Sequence, residues 1–230
     1  MSKKHLKRLN IPKTWDIKKK GIKYIKRPNP GAHTFNQGIS LSVFLRDISH
    51  TAKTNKEVKN ILNNHEVLID GIRRKEVKFI VGFMDIITIP STKQNLRITI
   101  NNKGKLSFID IDEKESKLKV CRIKTKTMSK KGIQLGLSDG RSIILKDKKE
   151  CKVGDSALIE LPSQNIKEII KLEKGSLIFL VGGKHNGSTA TIQNIKDKTM
   201  TCKNQDLKFE TSKKYAYVIG KEKPVIKVQE

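Results

Sequence analysis

Two rows of side chains stand out for what they could do to a phosphate. Lys56, Lys59, Asn60 and Asn63 recur at i, i+3, i+4 and i+7, and Arg46, His50 and Lys53 form a comparable polar row just before them. At that spacing each row would occupy one face of a helix. Ammonium, guanidinium and amide groups on one face make charge-assisted hydrogen bonds to phosphate oxygens. Arg73 and Arg74, with Lys78 close behind, add three more cations shortly afterwards. Groupings for other chemistry are absent from the sequence. Five histidines (His5, His33, His50, His65 and His185) are dispersed without H-E-x-x-H spacing. Cys121, Cys151 and Cys202 are odd in number and far apart, with no C-x-x-C pair, so neither a metal site nor a disulfide framework is expected. No catalytic residue and no cofactor is expected, and a reducing cytosol is the simplest setting.

The elements that must hold these rows lie between Ile39 and Pro90. Leu41, Phe44, Leu45 and Ile48 form one apolar stripe, with Ser40 at the N-cap position and Ile39 and Phe44 placed as a hydrophobic staple. Thr54-Asn55-Lys56-Glu57 fits a capping box, after which Val58, Ile61 and Leu62 supply the buried stripe of a second helix. Val67 to Ile69 ends in Asp70-Gly71, a tight-turn signal, and 77–81 and 85–89 read as further strands. The order of two helices, an apolar strand with an Asp-Gly turn, and Val81-Gly82-Phe83-Met84-Asp85-Ile86 resembles the S4-type RNA-binding domain. By spacing alone, a generic α+β unit with a solvated charged face is the alternative.

Composition supports a polyanionic partner. The 230 residues carry 49 Lys+Arg against 23 Asp+Glu, a net charge of +26, which exceeds what solubility requires. Nucleic acid fits better than membrane, because no apolar run approaches the roughly 18 residues of a span and the charge is spread along the chain. The N-terminus is basic without the apolar core of a secretory signal. Residues 1–38 hold eleven Lys/Arg and one acid, Asp16, with the densest points at Lys4, Lys7 and Arg8, at Lys18, Lys19 and Lys20, and at Lys26-Arg27. So few apolar residues predict an extension that is extended or disordered until it meets its partner. Trp15 and Tyr24 within it point to stacking on bases or docking on the fold.

Beyond Pro90 the pattern turns to alternation, with strands expected at 96–100, 106–111, 118–123, 133–137, 142–145, 157–161 and 166–172, and a short helical or loop insertion at 112–116. The stretch from Gly175 to Ile192 reads as a strand, a glycine-rich turn and a second strand, and resembles the KOW motif of small SH3-like barrels, with Ala190 in place of a usual glycine. Gly182 and Gly187 have P-loop spacing, but Ser188 stands where the phosphate-binding lysine must be and no helix follows, which argues against a nucleotide site. Lys184 and His185 read instead as a basic loop tip able to touch RNA phosphate.

Taken together, the modules resemble one family, the e-type small-subunit ribosomal protein S4 of archaea and eukaryotes. The residues that carry this are Lys4-His5-Leu6-Lys7-Arg8, Arg27-Pro28, Val43 to Asp47, Gly82 to Ile87, Leu118 to Cys121, Asp139-Gly140-Arg141, Lys152 to Asp155 and Val181 to His185. The expected fold is α+β and multidomain: a basic extension (1–38), an S4-type domain (39–95), a central all-β domain (96–172), a KOW barrel (173–220) and a polar tail (221–230). About ten residues follow Val218-Ile219-Gly220, without the longer basic extension of eukaryotic members, so an archaeal member is expected. The resemblance implies a structural role in the 30S subunit, with small-subunit rRNA and neighbouring small-subunit proteins as partners. A free RNA-binding regulator, or an RNA-modifying enzyme carrying an S4-type domain, is the alternative.

Overall fold

Val, Ile and Leu run through most of the chain after residue 66, and the chain is mostly β with few helices. The structure is a computed structural model that describes residues 5–130, 132–145, 151–204 and 207–229; Lys4 lies outside the described residues. Among these the chain forms two compact units, one of residues up to 100 together with 105–116, the other of 101–104 and those from 117 onward.

The first unit begins with a short antiparallel pair, β1 (Leu6–Lys7) and β2 (Tyr24–Ile25), followed by β3 (Gly38–Ser40). Helix α1 (Leu41–Val43) runs directly into a single π-type turn, Phe44–Ile48, closed by the Ser49 amide donating to the Phe44 carbonyl at 2.9 Å. Helix α2 (Asn55–Asn64) carries the capping box in full: the Glu57 amide donates to the Thr54 hydroxyl, and the Glu57 carboxylate accepts from the Thr54 amide. Strands β4 (Leu68–Ile69) and β5 (Ile72–Arg73) form a hairpin across Asp70 and Gly71, whose φ values of 51° and 77° are those of a type I′ turn. Then come β6 (Ile80–Gly82), β7 (Ile86–Ile89), β8 (Gln94–Ile100), β9 (Leu106–Asp110) and the short helix α3 (Glu113–Ser116).

Several expectations are corrected here. The boundary expected between 95 and 96 falls inside β8, which pairs with β7 on one side and β9 on the other in a five-stranded sheet ordered β5-β4-β7-β8-β9. Continuous hydrogen bonding leaves no place for a domain break there. Ser40 makes no cap bond; its hydroxyl donates to the Lys26 carbonyl at 3.2 Å. Leu41 to Leu45 are buried on every side rather than along one stripe. His50 and Lys53 lie in the loop between the helices and not on the first, which ends at Ile48.

The largest correction concerns the extension. Leu6, Ile11, Trp15 and Ile25 are all buried, and the Trp15 indole N–H donates to the Gly38 carbonyl at 3.0 Å. The Leu106 amide donates to the Thr14 carbonyl at 2.6 Å, which adds the segment to the edge of β9. Residues 5–38 are therefore a folded part of this unit. Four well-spaced apolar anchors achieve what a local periodicity would not have revealed. His33 contributes too, its Nε2 2.8 Å from Asp85 Oδ2, which also accepts from the Gly82 amide at 2.9 Å. Gly82 must be glycine in this setting, because a Cβ there would meet the Gln37 carbonyl oxygen and His33 Cγ, each at 2.5 Å.

The second unit contains two five-stranded antiparallel sheets. In the first, the long β10 (Leu118–Ser129) is central, with β11 (Gly132–Leu137) and β12 (Ser142–Leu145) on one side and β13 (Ser156–Glu160) and β14 (Ile166–Ile170) on the other. The second is ordered β18-β17-β16-β15-β19, from β15 (Leu177–Leu180), β16 (Thr189–Ile195), β17 (Thr199–Asn204), β18 (Leu207–Ser212) and β19 (Ala216–Gly220). Cys121 and Cys151 are buried in the core of the first sheet and Cys202 in that of the second, all three as free thiols. β10 runs six residues past its expected end, because pairing with β11 carries Lys124 to Ser129 on as strand although they are exposed and show no apolar alternation. Ile226 and Val228 are buried, so the stretch expected as a polar tail contributes to the core.

Candidate nucleic-acid interface

Lys56 and Lys59 project into solvent from α2, whose other face buries Val58 and Leu62. The capping box fixes where this helix starts and hence which way the two lysines point. Its Glu57 carboxyl is held below the usual carboxylate range, first by the Lys53 amide at 2.7 Å and then by the Thr54 hydroxyl, so it stays ionised at the positive end of the helix.

Beside α2, the N-terminal segment and the π-type turn enclose a cleft of ≈720 Å³. Its base is a carboxylate with two guanidinium partners. Asp47 Oδ1 accepts from Arg8 at 3.0 Å, Asp47 Oδ2 accepts from Arg46 at 2.6 Å, and all three side chains are largely buried. Arg46 also donates to Asn55 Oδ1 at 3.2 Å, which ties the turn to the start of α2. Arg8 and Arg46 thus build the cleft and share one compensating charge. Lys18, Lys20 and Lys53 stand around it, giving five Lys/Arg against Asp47 and Asp16. His50 and Lys53 left the first helix, yet they line the same cleft as Arg46. A second cleft of ≈450 Å³ adjoins the first and shares Arg46 and Asn55 with it; Lys26, Arg27 and Lys78 border it.

The remaining expected contacts divide into free and engaged cations. Lys7, Lys18 and Lys19 are exposed. Arg73 is exposed and donates to the Asn63 carbonyl at 3.2 Å, with Glu66 4.0 Å away. The Arg74 guanidinium lies 4.8 Å over the Phe79 ring and Arg27 lies 5.6 Å over Phe35, so each also helps pack the fold. Lys184 is exposed on the loop between β15 and β16, but the His185 ring is stacked on Phe209 at 4.1 Å. His185 therefore stiffens that loop, and Lys184 is the side chain the loop presents. Lys184, His185 and Phe209 belong to the second unit, whereas the other residues named in this paragraph belong to the first.

Among the described residues, two cations counted in the net charge are withdrawn from solvent. Arg97, fully buried, donates to Glu115 Oε2 at 3.0 Å, and Lys119, 1% exposed, lies 3.3 Å from Asp139. Burial works against the charged form of Asp139, but the Lys119 ammonium and then the Arg141 guanidinium outweigh it and hold its carboxyl below the usual range. Tyr217, fully buried, donates to the Val120 carbonyl at 2.6 Å, and burial pushes its phenol well up. Sequence reasoning missed Asp47 and Asn55, the two groups that hold the cleft together. Their signal was an Arg-Asp pair beside a capping box, but nothing local shows that Arg8 completes it.

Comparison with known proteins gives a consistent result. The model of the ribosomal family S4e matches residues 92–166, and that of the RS4NT domain matches residues 2–36. Small ribosomal subunit protein eS4 of Methanosphaera stadtmanae is 40% identical over 98% of this chain and 95% of its own length. That of Methanocaldococcus jannaschii is 39% identical over 98% of each chain. The crystal structure of 30S ribosomal protein S4e from Thermoplasma acidophilum superimposes with a TM-score of 0.70 at 31% identity, covering 80% of this chain and 95% of that one.

Proposed function

The chain belongs to the S4e family of ribosomal proteins, and from that premise we propose that it is a non-enzymatic structural constituent of the small ribosomal subunit, resident in the cytoplasm, where it holds small-subunit rRNA. The observation that carries this reading is the similarity to eS4 proteins along almost the whole chain. Neighbouring small-subunit proteins are the further partners.

The physics is that of a protein set into folded RNA, which is bound through phosphates on several sides and through protein segments lodged between helices. Lys53 at the first cleft, Lys56 and Lys59 on the exposed face of α2, Arg73 on β5, and Lys184 on a loop of the second unit offer cations for such contacts. Within this reading the helices and turns between Ile39 and Pro90 form an S4-type element inside the first unit. The Thr54 capping box, the Asp70-Gly71 turn and the Gly82 to Asp85 turn support that assignment. The sheet β18-β17-β16-β15-β19, with its glycine-rich loop between β15 and β16, supports a KOW barrel at 173–220.

Co-sedimentation tests the proposal. The chain should stay with small subunits through washing at moderate salt. Release at low salt, or equal retention by large subunits, would show a free RNA-binding regulator instead.

A further inference from the structure

We propose that the second cleft captures an unpaired nucleotide of the bound RNA, with the Tyr24 ring as the stacking platform. The inference deepens the rRNA-binding reading and rests on it. Pairing of Lys7 with Tyr24 and of Leu6 with Ile25 decides the geometry. Because strand side chains alternate, Ile25 turns inward to 6% exposure and Tyr24 turns outward to 50%. The half-exposed ring lines the second cleft, where one of its faces can be reached. The His5 ring stands 5.9 Å away, tilted by 59°, and the Lys23 ammonium is 5.6 Å from the Tyr24 centroid.

Charge identifies the occupant. Among the described residues Lys26, Arg27, Lys78 and the Asp47-paired Arg46 line this cleft and no carboxylate does, in contrast to the first cleft with its Asp16 and Asp47. An aromatic face bordered by cations matches a base with its flanking phosphates. The cleft's ≈450 Å³ falls inside the roughly 300–1,000 Å³ of sites that enclose small ligands. A paired base cannot reach Tyr24, since its faces are covered by its neighbours in the stack and the deep groove of an RNA duplex is too narrow. The recognised element is therefore a bulge, loop or end. A protein partner would have to supply acidic groups to the same four cations, and that is one of the outcomes below.

The test measures binding of the full chain to a short labelled oligoadenylate and to an RNA duplex of matched charge at one salt concentration. Tyr24→Ala should weaken oligoadenylate binding about 5- to 150-fold, the range of one base–aromatic stack, and leave duplex binding within about twofold. Tyr24→Trp should keep or raise the preference for oligoadenylate. Equal weakening of both RNAs, or of neither, overturns the assignment, as does displacement of oligoadenylate by polyglutamate as readily as by unlabelled oligoadenylate. Wild-type chain that fails to stay with small subunits would sink the ribosomal reading alone, and the oligoadenylate comparison would still decide base capture.

Discussion

Replacing Trp15 with alanine separates a folded N-terminal segment from one that orders only on RNA. Trp15 is 2% exposed and its indole N–H is bonded to the Gly38 carbonyl. Truncating a buried tryptophan costs about 3–5 kcal/mol, partly from lost transfer free energy and partly from the cavity left behind. Loss of the indole donor also leaves a buried carbonyl unpaired, worth about 1 kcal/mol within that range. Divided by a urea slope of roughly 2 kcal/mol/M, the expected fall in unfolding midpoint is about 2 M. Trp15→Phe, which keeps most of the ring, should lose about half as much. Urea unfolding followed by far-UV circular dichroism measures both. As the single tryptophan of the chain, Trp15 also reports directly on docking, and free wild-type protein should show blue-shifted emission and weak quenching by acrylamide. An unchanged midpoint in Trp15→Ala, together with solvent-exposed emission that shifts only on adding RNA, would refute the reasoning.

Four further outcomes are expected. Lys56→Glu with Lys59→Glu should weaken rRNA binding and flatten its dependence on the logarithm of salt concentration by up to about two; a lost cooperative thermal transition would show that these side chains pack. Deleting residues 1–37 should do two things, flattening that salt dependence and lowering the melting temperature, because the segment's four buried anchors go with its charge. Asp139→Asn leaves Lys119 and Arg141 without their carboxylate, so destabilisation of about 3–5 kcal/mol is expected, readable by urea unfolding. The folded pKa of Asp139 lies below its unfolded value, so its contribution is present above the ordinary carboxylate pKa and is lost as pH falls below it; the Asn variant should lack that acid-side loss. Gly82→Ala should destabilise by about 1–3 kcal/mol through overpacking, and a melting temperature equal to wild type would contradict the contact with His33 and Gln37.

What could be read from sequence was local. The Thr54 capping box and the Asp70-Gly71 turn each lie within four residues, and backbone chemistry at that range decides them. Lys56 and Lys59 were legible because helical period sets a face. Trp15 was legible only as a residue with two possible fates, since its partners Gly38 and Leu106 lie far along the chain. Nothing in the alternation of the strand expected at 96–100 marks Arg97 as buried, because its partner Glu115 lies in α3, which no strand pattern shows. The clefts were invisible for the same reason. Arg8, Arg46, Asp47 and Asn55 meet across three separate stretches, and the π-type turn that orients Arg46 and Asp47 breaks the spacing on which a helical reading relies.

The bond between Thr14 and Leu106 places a constraint on time. The ribosome that makes this chain emits the basic segment first, and about ninety further residues must follow before β9 exists to receive it. At about 5–20 residues per second that interval lasts roughly 5–20 s, during which Trp15 is uncovered and the segment's cations have no fold to lie on. The nascent N-terminus is thus a polycation with bare aromatic side chains beside abundant RNA, and the completion of β9 ends that exposure. Premature capture by nucleic acid would compete with closing of the first unit, so a pause in synthesis before residue 106 should raise the fraction of chains that bind RNA in the wrong register.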